Sequence, residues 1–256
     1  MSQKNILLVG ETWVTSATHF KGFDQFGSVT FHSGAKAVIA ALAGTEFTLT
    51  HMPAHEAVEA FPFTHQELSR YDAILLSDIG ANSLLLHPDV WLQGKTVINR
   101  LNLLRDWTAA GGALAMFGGY LSFQGIDGKA RWRRTAVEQA LPVECLPYDD
   151  RIEVPEGFRA AIDPAQRQHP LFKGISGEWP LLLGANEVIA KSDSEVLARL
   201  PDELGGHPLL VTGRHGQGRT LVWTSDISPH WLPQSFIDWP GYKQLLVNML
   251  GWLTAK

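Results

Sequence analysis

The stretch Leu114-Ala-Met-Phe-Gly-Gly-Tyr-Leu-Ser-Phe-Gln124 limits the folds open to this chain more than any other. Its first part, Leu114–Phe117, is a short apolar run closed by glycines, the pattern of a strand buried on both faces. Gly118 and Gly119 carry no Cβ, so the backbone there can bend sharply and approach another segment closely. In an α/β protein, ligands collect at the carboxyl ends of central strands. Gly119, Tyr120, Ser122 and Gln124 are therefore expected at the functional mouth of the fold.

The rest of the chain supplies the sheet that such a strand needs. Lys4–Gly10 is a continuous aliphatic run ending at glycine, the pattern of a first parallel strand. The polar and aromatic segment Glu11–Phe20 is expected to be a functional loop, since loops after parallel strands often carry function. Gly34–Ala43 has helical spacing and stops at Gly44; Phe47–His51 reads as a second strand. Thr64-His-Gln-Glu67 resembles a capping box. Tyr71–Asp78 reads as a third strand, with Asn82 just beyond it, and Val97–Ala110 as a helix stopped by Gly111-Gly112. Strand and helix alternate over the first 120 residues, which predicts an α/β fold with a mainly parallel sheet and helices on both faces.

Beyond the central strand, Thr135–Leu141 is predicted helical. The proline- and charge-rich segment 147–180 reads as a surface excursion, and Leu181–Ala190 and Glu195–Leu200 as strands. Pro208–Arg214 and Arg219–Ser225 flank His215-Gly-Gln-Gly218 as a hairpin, and Tyr242–Leu253 is an amphipathic helix. Residues 1–256 are expected to form one domain.

Several function classes are disfavoured. Net charge is −5 and the cations are scattered, so no nucleic-acid footprint is expected. The short basic cluster Lys129–Arg134 reads as a solvated loop or helix face. One cysteine, Cys145, permits neither an intrachain disulfide nor a cysteine-based zinc site, and it reads as a buried structural thiol. Met1–Gly10 lacks the features of a signal peptide, and no apolar run approaches the roughly 20 residues that span a bilayer. A soluble cytoplasmic protein with no membrane partner is expected. His19, His32, His51, His55, His87 and His230 fall in no metal-ligand spacing, and neither a dinucleotide fingerprint nor a phosphate loop occurs. No metal or cofactor is expected.

Gly10-Glu-Thr-Trp13, Met52-Pro-Ala-His55, Ser77–Pro88, Gly118–Gly125, Leu146–Asp150 and Ser225–Trp231 carry a resemblance that spans nearly the whole chain. In them the sequence resembles the class I glutamine amidotransferase-like superfamily. More closely it is similar to a bacterial glutamine amidotransferase-like family, relatives of the trehalose-utilisation-type proteins. The resemblance implies a flavodoxin-like three-layer sandwich with a C-terminal hairpin and helix. In active members of the superfamily a Gly-x-Cys-x-Gly elbow presents a thiolate to the glutamine amide, with a histidine base oriented by a carboxylate. On that pattern Gly118 takes the first glycine, Tyr120 the cysteine and Ser122 the second glycine, so the nucleophile is absent. His230 falls near the place of the family's histidine, but Leu232 stands where its carboxylate partner would follow.

Amidotransferase activity is therefore not expected, and three readings stand. In the first, Glu11, Trp13, Asp78, Asn82, Gly119, Ser122, Gln124, Asp226 and Trp231 form a pocket for a small polar or carbohydrate-type metabolite. In the second, Tyr120 or a water performs hydrolysis with His230 as base. In the third, the chain is a homo-oligomeric structural or interaction module whose 147–180 excursion supplies the contact. The competing explanation for Asp78 and Asp226 is that each only caps a helix or ties down a loop.

Overall fold

Strand β1 (Lys4–Gly10) buries Ile6, Leu7, Leu8 and Val9 completely, as a strand covered on both faces must. Ile6 and Leu8 point into one core, Leu7 and Val9 into another, following the two-residue period of a strand. In this computed structural model residues 3–255 are described. Met1 and Ser2 of the leader reading, and Lys256 at the end of the expected domain, lie outside them.

A long hairpin follows, β2 (Thr12–Lys21) and β3 (Asp24–Ser33). It replaces the loop expected at Glu11–Phe20. Threonine, valine and aromatic residues at that segment favour extended backbone, and Asp24–Ser33 supplies a partner in unbroken register from Thr12–Ser33 to Lys21–Asp24. The chain then runs through α1 (Lys36–Leu42), β4 (Phe47–Met52), α2 (Ala54–Ala60), α3 (His65–Leu68), β5 (Ala73–Ser77), α4 (Ala81–Leu85), α5 (Pro88–Trp91), α6 (Arg100–Ala109) and β6 (Ala113–Phe117). The capping box at α3 forms in both directions: Glu67 N–H donates to Thr64 Oγ1 and Thr64 N–H to Glu67 Oε2. Helix α6 begins three residues later than its apolar spacing predicts, because the Asn99 side chain caps it by accepting from Leu101 and Asn102 N–H.

After β6 come α7 (Ala136–Ala140), β7 (Val143–Cys145), β8 (Arg151–Phe158), β9 (Ala161–Ile162), β10 (Leu182–Asn186), β11 (Val188–Ala190), β12 (Glu195–Arg199), β13 (Pro208–His215), β14 (Gly218–Trp223), α8 (Gln234–Ile237) and α9 (Pro240–Leu253). The central sheet has the order β4-β1-β5-β6-β14-β13-β12-β9. Strands β4 through β14 in that order are parallel, and β13, β12 and β9 continue it antiparallel. The result is the flavodoxin-like α/β sandwich with the C-terminal hairpin β13–β14 and helix α9.

One core packs α1 and α9 on the sheet and also takes Val154, Phe158, Leu171, Phe172 and Trp179 from the 147–180 excursion. That segment is therefore anchored through its apolar side chains. The basic cluster is likewise only partly solvated: Ala130 and Trp132 are buried, and Trp132 Nε1 donates to Ile79 O at 2.9 Å.

Candidate functional site

Strand β6 ends in an elbow that only glycine permits. A Cβ on Gly118 would collide with the Thr224 carbonyl. Gly119 has φ +139°, and a Cβ there would lie 2.9 Å from Asp78 Oδ1 and 3.0 Å from Asp226 Oδ1. The elbow is tied to the end of β5 in both directions. Leu121 N–H donates to Asp78 Oδ1 at 2.7 Å, and Asp78 N–H donates to Ser122 Oγ at 3.1 Å. From beneath, Gly119 N–H donates to Asn186 Oδ1, while Asn186 Nδ2 donates to Gly119 O and to Asp150 Oδ1. Asp150 in turn accepts from Gln124 and Gly125 N–H.

The strand ends bring three carboxylates together. Glu11 has φ +53° and is buried; its carboxylate accepts from Ser77 Oγ and Ser228 Oγ. Burial, then the negative charge of Asp226, pushes the Glu11 carboxyl up to about 7 despite those two donors. Asp78, at φ +43°, is pushed up to about 6, chiefly by burial, against the Leu121 N–H. Burial also raises Asp226, opposed by its hydrogen bond to His230.

The β14 loop completes the arrangement. His230 Nδ1 lies 2.8 Å from Asp226 Oδ2, and Trp231 N–H donates to the same oxygen at 2.8 Å. Burial would lower the His230 imidazole, but the hydrogen bond and charge of Asp226 outweigh it and leave it raised. His230 Nε2 has no hydrogen-bond partner among the described residues. Tyr120 stands edge-on to the His230 ring, centroids 4.3 Å apart, and the Arg151 guanidinium lies 4.8 Å from the Tyr120 ring centre. Burial, then the charge of Glu153, raises the Tyr120 phenol, the wrong direction for a nucleophile at neutral pH.

Glu11, Trp13, Asp78, Tyr120, Asp226 and His230 line one cavity of about 460 Å³, with Leu121, Ile126, Ser228 and Pro229 completing its wall. The other expected residues lie elsewhere. Gly119 and the buried Ser122 hydroxyl hold the elbow from below. Trp231 is buried and donates through Nε1 to Glu153. Asn82 and Gln124 line a separate cavity with Arg131 and Arg133. In α4 it is Ala81 that turns inward, so Asn82 faces out. Gln124 is held by Asp150 at its N–H and by Gly128 O at its side chain. The sequence reading assigned no role to Asp150 or Asn186. Asp150 sits in the Leu146–Asp150 motif, whereas Asn186 left no signal except a polar residue in an apolar strand. Cys145 is buried in β7 and burial raises its thiol.

Among the described residues no group of three or more His, Cys, Asp or Glu is arranged to hold a metal, and no helix is long and apolar enough to cross a membrane.

A family model described as "Putative glutamine amidotransferase" matches residues 5–255. The chain belongs to that family. Two solved structures of Salmonella typhimurium proteins agree closely with it. Cytoplasmic protein STM3548 is 40% identical, with a TM-score of 0.91 over 97% of this chain and 98% of its own. Cytoplasmic protein STM1381, from strain LT2, is 39% identical, with a TM-score of 0.91 over 97% and 99%. A ThuA-like protein from Bacteroides uniformis shares the fold at 14% identity, with a TM-score of 0.57 over 98% of this chain and 91% of its own. No curated protein matches the sequence.

Proposed function

We propose that this protein binds a small polyhydroxylated metabolite of about sugar size and does not perform glutaminase chemistry. One observation carries the reading: carboxyls and aromatic rings line the same cavity of about 460 Å³, a volume within the usual range of small-molecule sites. The floor groups Glu11 and Asp78 are poised near neutral pH, so they can both donate to and accept from ligand hydroxyls. Trp13, Tyr120, Leu121 and Pro229 offer apolar surface to the C–H face of a ring. An anionic ligand would meet like charge. The chain acts as one domain in the cytoplasm on this reading, supported by the span of the family match and by the names of the Salmonella relatives.

The test is calorimetry against a panel of polyols, monosaccharides and disaccharides. At least one should bind with a millimolar or lower Kd, and Trp13→Ala should weaken it about tenfold, the loss of one aromatic contact. No binding at millimolar ligand overturns the reading.

A second reading is favoured by His230, whose Nδ1 is held by Asp226 while Nε2 is free. That is the arrangement of a general base acting on a water. Hydrolysis of a glycoside or ester panel should then vanish in His230→Ala and persist in Tyr120→Phe. Absence of turnover removes this reading and leaves the binding one standing.

A further inference from the structure

The β2–β3 ribbon leaves the central sheet at Glu11 and returns at Gly34, and its strands of ten residues each pair only with one another. Cross-strand pairing places Val14, Phe20, Val29 and Phe31 on one face. The other face carries Trp13 stacked on His32 and His19 stacked on Phe26. Phe23 at the turn is fully exposed, and Phe20 and Val29 are 73% and 70% exposed. A two-stranded hairpin is marginal by itself in water, and its open edges are templates for further pairing. Apolar residues on both faces of such a ribbon mark a surface that another molecule covers.

The amount of surface agrees. A folded monomer of 28.2 kDa exposes about 11,200 Å² by the usual size scaling, whereas this chain exposes 12367 Å². The excess is larger than the roughly 800 Å² that each partner hides in a standard interface.

The occupant that fits is a second copy. Two ribbons of equal length, laid antiparallel about a two-fold axis through their middles, bring the tip of each to the root of the other. At the root lies a groove of about 380 Å³ whose apolar wall is Trp13, Ala37, Pro229 and Ile237, with Lys36 also lining it. The tip presents Phe20, Phe23 and Asp24. Neither Asp24 nor Lys36 has an ion-pair partner among the described residues, and this crossing brings opposite charges together as it brings knob to groove.

We propose that two copies of this chain associate through the β2–β3 ribbon, the Phe20–Phe23 tip of each seated in the Trp13–Ala37–Pro229–Ile237 groove of the other. Trp13 lines both this groove and the candidate cavity, so the partner's tip stands at the mouth of the site. The interface stands independently of which ligand the cavity takes.

Sedimentation velocity of the full chain from 1 to about 100 μM, the range of an ordinary protein–protein affinity, is the first measurement. The expected result is a dimer whose Kd weakens at least 100-fold in Phe20→Asp/Phe23→Asp with an unchanged far-UV circular dichroism spectrum. A second measurement does not depend on how that variant folds. Phe23→Cys chains mixed with Ile237→Cys chains should give an interchain disulfide that neither variant forms alone. A monomer at the highest concentration, a dimer unaffected by the double substitution, or a dimer that gives no mixed disulfide overturns the proposal.

Discussion

Asp226 holds His230 by Nδ1 at 2.8 Å, with the imidazole and the Tyr120 ring perpendicular to each other in the wall of the cavity. The carboxylate fixes the ring orientation and leaves Nε2 without a hydrogen-bond partner among the described residues. It also raises the imidazole above its ordinary value against the effect of burial. Asp226→Asn removes the charge but keeps the shape. The His230 imidazole should then titrate at lower pH, followed by the ring-proton chemical shifts in NMR. An unchanged midpoint would mean that the pair is not ionised.

The buried carboxyls predict an unusual pH dependence of stability. Glu11 titrates near 7 in the fold, against an ordinary 4.5, so between those values the folded state holds a proton that the unfolded state has released. Stability from this group is present below about pH 4.5 and is lost as pH rises through 7. The loss for a shift of this size is on the order of 3 kcal/mol. Asp78 and Asp150, each near 6, act in the same direction. Urea denaturation should show stability falling from pH 5 to pH 8, and Glu11→Gln should flatten the fall.

Gly119→Ala should damage both fold and site. The new methyl would press on the Asp78 and Asp226 carboxylates at about 3 Å, and φ +139° is strained for any side chain. A loss of about 1–3 kcal/mol is expected from strain at such a position. Gly44→Ala is the control: its φ is +73° with no atom near the added carbon. It should cost only the left-handed backbone term, about 1 kcal/mol. Equal losses in the two variants would show that the carboxylates yield freely.

Arg100 is a buried cation held by carbonyls. Its Nε donates to Leu84 O at 2.6 Å and its Nη2 to Val58 O at 2.9 Å, so it joins α6 to α2 and α4. Burial lowers its guanidinium to about 10. Arg100→Met keeps the length but leaves those carbonyls without a donor, and a loss of about 3 kcal/mol or more is expected in chemical denaturation.

The parallel core was legible because its signals are local. Ile6–Val9 within β1 and Ala113–Phe117 are apolar without interruption, and that pattern has few outcomes other than a strand covered on both faces. Gly118, Gly119 and the Thr64 box also announce themselves, since each answers a backbone requirement within a few residues. Glu11, Asp78, Tyr120, Asp226 and His230 could be grouped because parallel strands end at a common edge.

Tertiary structure decided the rest. The Glu11–Phe20 segment became half of a ribbon because the following Asp24–Ser33 segment pairs with it, from Lys21–Asp24 out to Thr12–Ser33, and only register reveals that. Asn82 and Gln124 left the site because one helical step and two backbone ties turned them aside. Asn186 and Asp150 entered it across 67 and 25 to 36 residues of intervening chain, as the elbow's buried N–H and C=O groups need partners wherever the fold supplies them. By itself the sequence determined which apolar stretches become the parallel core strands and where the backbone must turn, because those depend on neighbours along the chain. Which polar groups meet, and how far their charges shift, depends on burial and distance, and those exist only once the layers have packed.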